Sequence, residues 1–576
     1  MKDLIIKDGL VYDPLNDIDG EKKDIHIKDG VIVEKVNGEA KIIDAAGMIV
    51  MPGGVDIHSH IAGTKVNAGR SFRPDDKPEE CNEKRTKLTR SGTGWAVPST
   101  WTTGYRYARL GYTTVVEPAL PLLKARHTFE EFLDIPIIDT LAIALLGNNW
   151  FVMEYVKQKN YDKLAAYIAW ILKAVKSYGV KIVNPGGVEN WTWGKNVSSL
   201  DDHVFHFDVS PREILEGLSK ANESLRLPHT IHVHANNLGH PGNKKHTLET
   251  FEALKKIQSK NGRDSVIHLT HCQFNAYSGT NWGDFASGAA DIAEYLNSNK
   301  HVTVDMGQVI FGKAATTTMT ADGPWEYSLH HIGGTSSWGA RPGMKWINGQ
   351  VEGESGSGIV PYQFSPKVAV NAVQWAIGLE LALLIKNPWQ VFMTTDHPNG
   401  GPFTSYPQII RWLMDKKSRD DVLLNQCSKK ASERTQLKDI DRELTLSEIC
   451  TMTRAGTAKC LGMTDRGHLG AGAIGDVALY NLDLKKMDGH AIEKAFSLAA
   501  YTIKDGQIVV KDGEITATPM GTTICAKGQI KDSLMDAMLE EVKSHWRNHY
   551  SINFNNYAVQ DVYTPKLKII TPNYKE

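Results

Sequence analysis

Short apolar runs alternate with amphipathic segments from residue 51 to residue 462, and this alternation restricts the fold more than any other feature. The clearest examples are the strand-like runs 113–117, 230–234, 266–269 and 302–305 and the helix-like segments 161–175 and 248–259. Strands that alternate with helices form parallel sheets, because each helical crossover covers one face of the sheet. About 400 residues of this pattern have the length of an eight-stranded barrel with insertions. The sequence therefore predicts an α/β fold built on a (β/α)8 TIM barrel.

The two ends of the chain share a different pattern of short strands and tight turns. Lys-Asp-Gly turns separate the apolar runs at residues 7–9, 28–30, 504–506 and 511–513. Asp-Gly between alternating apolar residues is a strong hairpin signal, and small groups of strands are only marginally stable alone. We therefore expect residues 1–50 and 463–530 to form one small composite β-sandwich domain. Residues 531–576 are too polar for a core and are predicted to form a C-terminal helix and tail.

Charge and cysteine content exclude several classes of protein. The 65 basic and 66 acidic side chains give a formal net charge of -1, which provides no general attraction to nucleic acid or to an anionic membrane. No apolar run approaches the roughly 18 residues needed to span a bilayer. The six cysteines contain no C-x-x-C pair, so neither an iron–sulfur cluster nor a zinc ribbon is expected in this chain. Scattered cysteines fit a reducing compartment, and we expect a cytoplasmic protein.

The segment Pro52–His60 reads Pro-Gly-Gly-Val-Asp-Ile-His-Ser-His and follows a strand-like run. In a strand, residues two positions apart point to the same face, so His58 and His60 converge on one point. Two imidazoles at a strand end suit a metal such as zinc. The pattern predicts the first half of a metal site at the end of the first barrel strand.

Further candidate ligands follow in the order in which a barrel would supply them. His232 and His234 form a second His-x-His, His268 and His271 flank the next strand, and Asp396 ends the run 391–396. Barrel active sites lie at the C-terminal ends of the strands, which favours the later residue of each histidine pair. Strand register is needed to decide between the members of each pair.

Lys181 lies within the otherwise apolar run Gly179–Val183. A free ammonium group there would lose its hydration and would repel two nearby metal ions. Reaction of the neutral amine with carbon dioxide gives a carbamate, an anion whose two oxygens can bridge two cations. Because four histidines and one aspartate leave the bridging position open, the sequence predicts N6-carboxylysine at Lys181 between two divalent ions.

Longer strings of residues connect these candidates to a known family. The general match is the segment 52–60 with the closing segments Arg-Ala-Gly-Thr-Ala-Lys-Cys-Leu-Gly at 454–462 and Gly-Ala-Ile-Gly-Asp-Val-Ala-Leu-Tyr at 472–480. The more specific match comprises His-Ile-Ala-Gly-Thr-Lys-Val-Asn-Ala-Gly-Arg at 60–70, Lys-Ile-Val-Asn-Pro-Gly-Gly at 181–187 and His-Ala-Asn-Asn-Leu-Gly at 234–239. Over essentially its whole length, the sequence resembles the amidohydrolase superfamily and, within it, the A subunits of archaeal formylmethanofuran dehydrogenases.

The resemblance implies a ligand set, a reaction and partners. The implied metal ligands are His58, His60, Lys181, His234, His271 and Asp396, and the implied metals are two divalent ions, zinc by preference. Asp396 would also be the catalytic residue that shuttles protons. Partner subunits would carry iron–sulfur clusters and a tungsten or molybdenum pterin that reduces carbon dioxide to formate. This chain would then condense formate with methanofuran to formylmethanofuran, reversibly.

Two insertions, 61–105 and 307–365, are long enough to be covers or partner surfaces. Lys65, Arg70 and Arg73 follow the first metal segment and are candidates for binding an anionic substrate group. Asn236, in the matching string after His234, is a further candidate.

Two other functions fit the same residues. The first is a stand-alone hydrolase of amides or cyclic amides that uses the same metals. The second is a non-catalytic scaffold subunit. The specific strings argue against the first alternative, and the complete set of candidate ligands argues against the second.

Overall fold

A computed structural model describes residues 3–72, 74–312, 316–332, 359–549 and 553–572. Its centre is a curled sheet of eight parallel strands that follow one another in chain order. We number these barrel strands 1 to 8: Gly54–Asp56, Tyr112–Leu120, Asp139–Leu145, Gly179–Val183, Ile231–His234, Ile267–Leu269, Val302–Asp305 and Val391–Phe392. An isolated parallel bridge between Ser59 and His397 joins the two outer strands. The predicted α/β barrel is confirmed.

Helices cover the outside of the barrel, and their ends follow sequence signals. The helix Pro211–Ser224 begins at Ser210, whose side chain and that of Glu213 form a capping box. The helix Tyr161–Ala174 begins after Asn160, whose side chain accepts a hydrogen bond from the N–H of Lys163. The other helices of the barrel region are Ala125–Asp134, Trp150–Lys157, Gly187–Thr192, Lys244–Leu254, Ala289–Ser298, Ala369–Leu384, Tyr406–Met414, Lys416–Asp421, Lys429–Arg434, Leu446–Cys450 and Gly456–Cys460.

A second sheet of nine strands is built from both ends of the chain. Its strands are Asp3–Asp13, Ile18–Lys28, Val31–Val33, Ala40–Asp44, Ile49–Pro52, Val477–Tyr480, Tyr501–Lys504, Gln507–Lys511 and Glu514–Ile515. The two ends meet where Ile49–Pro52 pairs antiparallel with Val477–Tyr480. These strands form one hydrogen-bonded sheet, so the two halves of the expected sandwich are parts of a single sheet. The helix Gly489–Ser497 connects two of its strands.

The last part of the chain joins the barrel sheet. The strand Thr523–Ala526, which lies inside the segment assigned from sequence to the composite domain, pairs parallel with barrel strand 3. The strand Leu567–Ile570 pairs parallel with Thr523–Ala526 and extends the sheet outward. Between them the helix Asp532–His549 packs on the helix Tyr161–Ala174, and the ring of Phe554 stacks on Trp170 at 4.9 Å. The tail therefore covers the outside of the barrel.

The insertions lie over the C-terminal ends of the barrel strands. The first contains the helices Thr64–Phe72 and Thr100–Arg109. In the second, Thr316–Met319 pairs antiparallel with Ile359–Tyr362, and the helix Gly323–Ile332 follows the first of these strands. The rest of the second insertion, 313–315 and 333–358, lies outside the described residues. Within the described part of the chain, no helix combines the length and the apolar character that a membrane crossing requires.

Candidate metal centre

One pocket at the C-terminal end of the barrel collects the residues that the sequence suggested as ligands. His58 and His60 follow barrel strand 1 directly, and the others lie in or after strands 4, 5, 6 and 8. The pocket is lined by His58, His60, Lys181, His234, His271 and Asp396. Strand ends bring these side chains together because parallel strands place all their C-terminal ends at one rim of the barrel.

His58, His60 and Asp396 form one group of potential ligands. Asp396 Oδ1 lies 2.9 Å from His58 Nε2 and 3.3 Å from His60 Nε2. Donor atoms of the three residues all lie within 4.8 Å of one another. Two Nε2 atoms and a carboxylate that converge on one point are a donor set that suits a divalent ion such as zinc.

Buried side chains contact the Nδ1 atoms of both histidines in this group. The His60 Nδ1–H donates to Glu117 Oε1 at 3.0 Å, which leaves Nε2 free of hydrogen when the ring is neutral. His58 Nδ1 lies 2.9 Å from His232 Nε2 and 3.6 Å from Asp305 Oδ2. Both histidines therefore turn Nε2 toward the pocket and Nδ1 toward the protein.

His234 and His271 form the second group, with ring centroids 4.8 Å apart. His234 Nε2–H donates to Asp322 Oδ2 at 2.9 Å, so Nδ1 is the ring atom that remains for an ion. His271 has a left-handed backbone (φ 37°), and its N–H donates to Asp305 Oδ1 at 2.9 Å. Its buried Nδ1 has no hydrogen-bond partner among the described residues. A buried ring nitrogen without a partner fits a site that an ion completes.

The structure separates the members of the two histidine pairs. His232 lies within barrel strand 5, and its ring nitrogens face His58 and His229 in the barrel interior. His268 lies within strand 6, where Nε2 is 3.1 Å from Asp305 Oδ2. Both side chains are fully buried. The side chains of His234 and His271 line the pocket, as expected for residues at the ends of these strands.

Lys181 lines the same pocket as the two groups, and its side chain is buried. Its Nζ is 3.4 Å from Thr270 Oγ1, the one hydrogen bond found for it within the described residues. Burial lowers the pKa of its amine to about 7, against the raising effects of Asp396 and Asp305. A buried amine with one hydrogen bond, in a pocket lined by imidazoles, is suited to conversion into an anionic bridging group. The complete donor set therefore fits two divalent ions.

The charges of the first group follow from its surroundings. Burial and Lys181 lower the pKa of His58 to about 4, so its ring is neutral at pH 7. Burial alone would lower the pKa of His60, but Glu117 and Asp396 outweigh it and raise the pKa to about 9. Burial would also raise the pKa of Asp396, but His271 and His58 outweigh it and hold the pKa well below its usual value. Asp396 is therefore an anion throughout the neutral range.

The residues suggested for substrate binding occupy different places. Lys65 lines the pocket. Arg70 does not line it, because its guanidinium donates to Glu131 Oε1, the Pro98 carbonyl and the Ile61 carbonyl at 2.6–2.8 Å. These contacts indicate that Arg70 shapes the loop after His60. Arg73 lies outside the described residues.

Asn236 is buried beside the pocket rather than in it. Its Nδ2 donates to Asn184 Oδ1 at 2.6 Å and to the Pro185 carbonyl at 2.9 Å. Asn184 Nδ2 donates in turn to Asp322 Oδ1 at 2.8 Å, and Asp322 holds His234. Asn236 is thus the start of a chain of contacts that orients a candidate ligand.

Sequence reasoning missed the carboxylates that contact the candidate ligands. Glu117 lies in barrel strand 2 and Asp305 ends strand 7, so the same strand-end rule that favoured His234 would have found Asp305. Asp322 lies in the second insertion, where no periodic pattern marks it. Carboxylates in such positions fix the tautomer and the orientation of metal-binding imidazoles.

Comparison with known proteins places this geometry in a family. A model described as "Amidohydrolase family" matches residues 41–510. The chain belongs to the amidohydrolase family. This amidohydrolase is 53% identical to "Protein FwdA" of Methanocaldococcus jannaschii over 570 residues, 98% of this chain and 98% of that protein. It is 37% identical to the A subunit of the formyltransferase/hydrolase complex Fhc of Methylorubrum extorquens over 569 residues, 97% of each chain.

A solved structure gives the same grouping. The structure described as the formyltransferase/hydrolase complex (FhcABCD) from Methylorubrum extorquens in complex with methylofuran contains a chain that is similar over 99% of this amidohydrolase and 100% of its own length. The TM-score is 0.87 at 34% sequence identity. Within the family, the amidohydrolase groups with the A subunits of formylmethanofuran dehydrogenases, and the resemblance expected from sequence is confirmed.

Proposed function

We propose that this amidohydrolase is the subunit of a formylmethanofuran dehydrogenase complex that forms and cleaves the formamide bond of formylmethanofuran. The observation that carries the proposal is the convergence of four imidazoles, one carboxylate and a buried lysine in a single pocket. The relatives support the substrate class, because the Methylorubrum complex is named as a formyltransferase/hydrolase and was solved with methylofuran. We place the protein in the cytoplasm, with partner subunits that carry iron–sulfur clusters and a tungsten or molybdenum centre producing formate.

Two divalent ions, with zinc the best match to imidazole donors, would occupy the pocket. His58, His60 and Asp396 would hold one ion, and His234 and His271 would hold the other. Lys181, carboxylated by carbon dioxide, would supply the shared anionic group. When bound, the ions would polarise the formyl carbonyl and lower the pKa of a nucleophilic water.

Asp396 is the residue placed to move protons during the reaction. It is an anion at neutral pH, and Asn399 Nδ2 donates to its Oδ2 at 2.9 Å, which fixes the carboxylate plane. In hydrolysis, Asp396 would accept the proton of the attacking water and deliver it to the departing amine. In synthesis, the same carboxyl would take a proton from the attacking amine and give it to the departing oxygen.

The walls of the pocket suit a reaction that expels water. Met319, Trp325 and Phe364 from the second insertion line it with apolar surface. Forming an amide from a carboxylate and an amine is unfavourable in bulk water, and an apolar cover reduces access of water to the product. Lys65, which the first insertion contributes to the same pocket, would attract the carboxylate of formate.

Metal content and intact mass of the purified chain test the proposal first. The expected result is two divalent ions per chain and a gain at Lys181 equal to the mass of carbon dioxide under native conditions. A folded protein with no bound metal and an unmodified lysine would contradict it and favour a scaffold role. Hydrolysis of simple amides or hydantoins by the single chain, without action on formylmethanofuran, would favour a stand-alone hydrolase.

The role of Asp396 is tested by Asp396→Asn. The variant should lose at least about 100-fold in turnover of formylmethanofuran, because proton transfer contributes that much or more. Metal content should stay near that of the wild type, because His58, His60 and the carboxylated Lys181 would still hold the ion. Asp134→Asn, the same chemical change at the exposed end of the helix Ala125–Asp134, is the matched control and should be fully active. Retained turnover in Asp396→Asn would remove the proposed role.

A further inference from the structure

A second cavity opens at the N-terminal end of the barrel, opposite to the metal pocket. Its walls are the segments that precede barrel strands 5 to 8 and the end of the helix Gly456–Cys460. Basic side chains dominate its charge: Arg226, Lys260, Arg263, Lys300, Lys459 and Lys568, against Asp264 and Asp465. Thr303 and Cys460 also line it. The proposed metal chemistry uses none of these residues.

Cys460 is placed beside a histidine and a carboxylate. Its Sγ lies 3.9 Å from His268 Nδ1 and 3.5 Å from Thr303 Oγ1. The other nitrogen of the same ring, His268 Nε2, lies 3.1 Å from Asp305 Oδ2. A thiol, an imidazole and a carboxylate in this order form the arrangement that activates cysteine nucleophiles. Here the Thr303 hydroxyl contacts both the sulfur and, at 3.0 Å, the His268 Nδ1. Cys460 lines the cavity, and the residue is 6% exposed.

The surroundings favour the thiolate form. Burial alone would raise the pKa of the Cys460 thiol, but the imidazoles of His229 and His268 outweigh it and lower the pKa to about 5. The other groups that face Cys460 are the Tyr178 hydroxyl, which is neutral because burial raises its pKa, and the basic side chains of the cavity. Burial would lower the pKa of His268, but Asp305 and Cys460 outweigh it and raise the pKa to about 9. A thiolate and an imidazolium therefore face each other at neutral pH.

The other cysteines differ from Cys460 in this respect. Burial raises the pKa of each of the five remaining thiols, Cys81, Cys272, Cys427, Cys450 and Cys525. All six cysteines are free of disulfide bonds. Cys81 is the one remaining cysteine that is not buried, and it serves as an internal reference for any thiol reagent.

We propose that Cys460 is a peroxide-reactive cysteine, held by His268 and Asp305 and reached through the basic cavity at the N-terminal end of the barrel. This modification site is independent of the proposed formamide chemistry. The Cys460 site lies behind the proposed metal centre, because Asp305 also accepts a hydrogen bond from the backbone N–H of His271.

The oxidation balances with a peroxide as the only co-reactant. The thiolate sulfur attacks one peroxide oxygen, the S–O bond forms and the O–O bond breaks. Sulfur is oxidised by two electrons to the sulfenic acid, and the peroxide is reduced. The leaving hydroxide takes the proton from His268 Nδ1 and departs as water, which leaves His268 neutral.

Alkylation of the folded, metal-loaded full chain with iodoacetamide, read by peptide mass spectrometry, tests the thiolate. Thiolates, not thiols, react, so the rate at Cys460 should be flat between about pH 6 and pH 9 because its thiol is already ionised. The rate at Cys81 should rise about 10-fold per pH unit across this range, because burial raises the pKa of its thiol. A Cys460 rate that rises in parallel with Cys81, or no labelling of Cys460 in the folded chain, would overturn the proposal.

Hydrogen peroxide followed by a sulfenic-acid-specific probe tests the oxidation itself. Wild-type protein should be trapped at Cys460, and Cys460→Ser should lose that signal while Cys81 is unchanged. His268→Gln should reduce the sulfenic-acid signal at Cys460 at least about 10-fold at neutral pH, because the pKa of the Cys460 thiol returns toward its ordinary value. If His268→Gln does not fold, the wild-type pH profile and probe signal decide alone. Absence of sulfenic acid at Cys460 in the wild type would refute the reaction.

Discussion

Replacing Glu117 by glutamine should weaken metal binding through the tautomer of one histidine. Glu117 Oε2 accepts hydrogen bonds from the N–H groups of Ile61 and Ala62 at 2.8 and 3.1 Å, and Oε1 accepts from His60 Nδ1 at 3.0 Å. A glutamine oxygen will stay on these two backbone donors, because Oε1 has one longer backbone contact, from the Ala119 N–H at 3.3 Å, and two unsatisfied N–H groups cost more than one. The amide NH2 then faces the Nδ1–H of His60, so two hydrogen-bond donors face each other.

The ring of His60 can relieve this conflict only by moving its hydrogen to Nε2. That atom faces Asp396 at 3.3 Å and is the one that would bind the ion. The loss of a hydrogen bond to a charged group corresponds to about 1.5–3 kcal/mol. At about 1.4 kcal/mol per factor of ten, metal affinity in Glu117→Gln should fall about 10- to 100-fold, which agrees with typical losses for residues behind metal ligands.

The assay should remove proton competition from the comparison. Glu117 and Asp396 raise the pKa of His60 to about 9. In Glu117→Gln, His60 would therefore bind a proton less tightly, and at neutral pH this weaker competition would partly offset the loss of metal affinity. Zinc competition against a chromophoric chelator at about pH 9.5, above this pKa, isolates the tautomer effect. Glu131→Gln is the matched control, because Glu131 accepts from Gly63 N–H and Arg70 Nη1 in the same loop without touching a proposed ligand. Affinity of Glu117→Gln within about twofold of the control would refute the reasoning.

Three further predictions follow from the same pocket. Lys181→Met should abolish binding of one ion, as metal analysis would show. It should also raise the free energy of unfolding of the metal-free protein by about 1–3 kcal/mol in chemical denaturation, since it removes a buried amine that has few hydrogen-bond partners. A normal content of two ions would contradict the prediction. Gly239→Ala would place Cβ 1.8 Å from the Trp325 ring at φ +72° and should raise KM or unfold the chain. Gly262→Ala is the control, because it has the same backbone strain at φ +70° but no atom within 4 Å of the added Cβ. Equal effects in the two variants would show that the clash with Trp325 is not the cause. Metal affinity should rise with pH until about pH 9 and then level off, because an ion must displace the proton of His60; calorimetric titrations at several pH values should show proton release below that point, and a flat profile would refute it.

Local rules were enough to predict much of the fold and part of the candidate site. The alternation of strands and helices from residue 51 to 462 predicted the barrel, because each strand–helix unit is specified by its own apolar pattern. The two-residue repeat of a strand predicted that His58 and His60 share a face, and both do turn Nε2 toward Asp396. The apolar run around Lys181 likewise indicated a buried amine, and the structure buries it. Its carboxylation stays a prediction.

Contacts between distant segments could be decided only by the tertiary structure. The strand-end rule favoured His234 and His271, but the choice needed the register of the neighbouring strands, in which His232 pairs with His268 inside the barrel. Glu117 reaches His60 across 57 residues of sequence, so the sequence could not reveal that it orients this ring.

The same limit explains the two places where the structure departs most from local reasoning. Arg70 looked available for an anion, yet it pairs with Glu131, which lies 61 residues away. The strand Thr523–Ala526 lies in the segment expected to belong to the composite domain, yet it pairs with barrel strand 3. A sequence of alternating residues specifies that a strand forms and which face is buried, whereas its partner is chosen by the free energy of packing in the assembled fold.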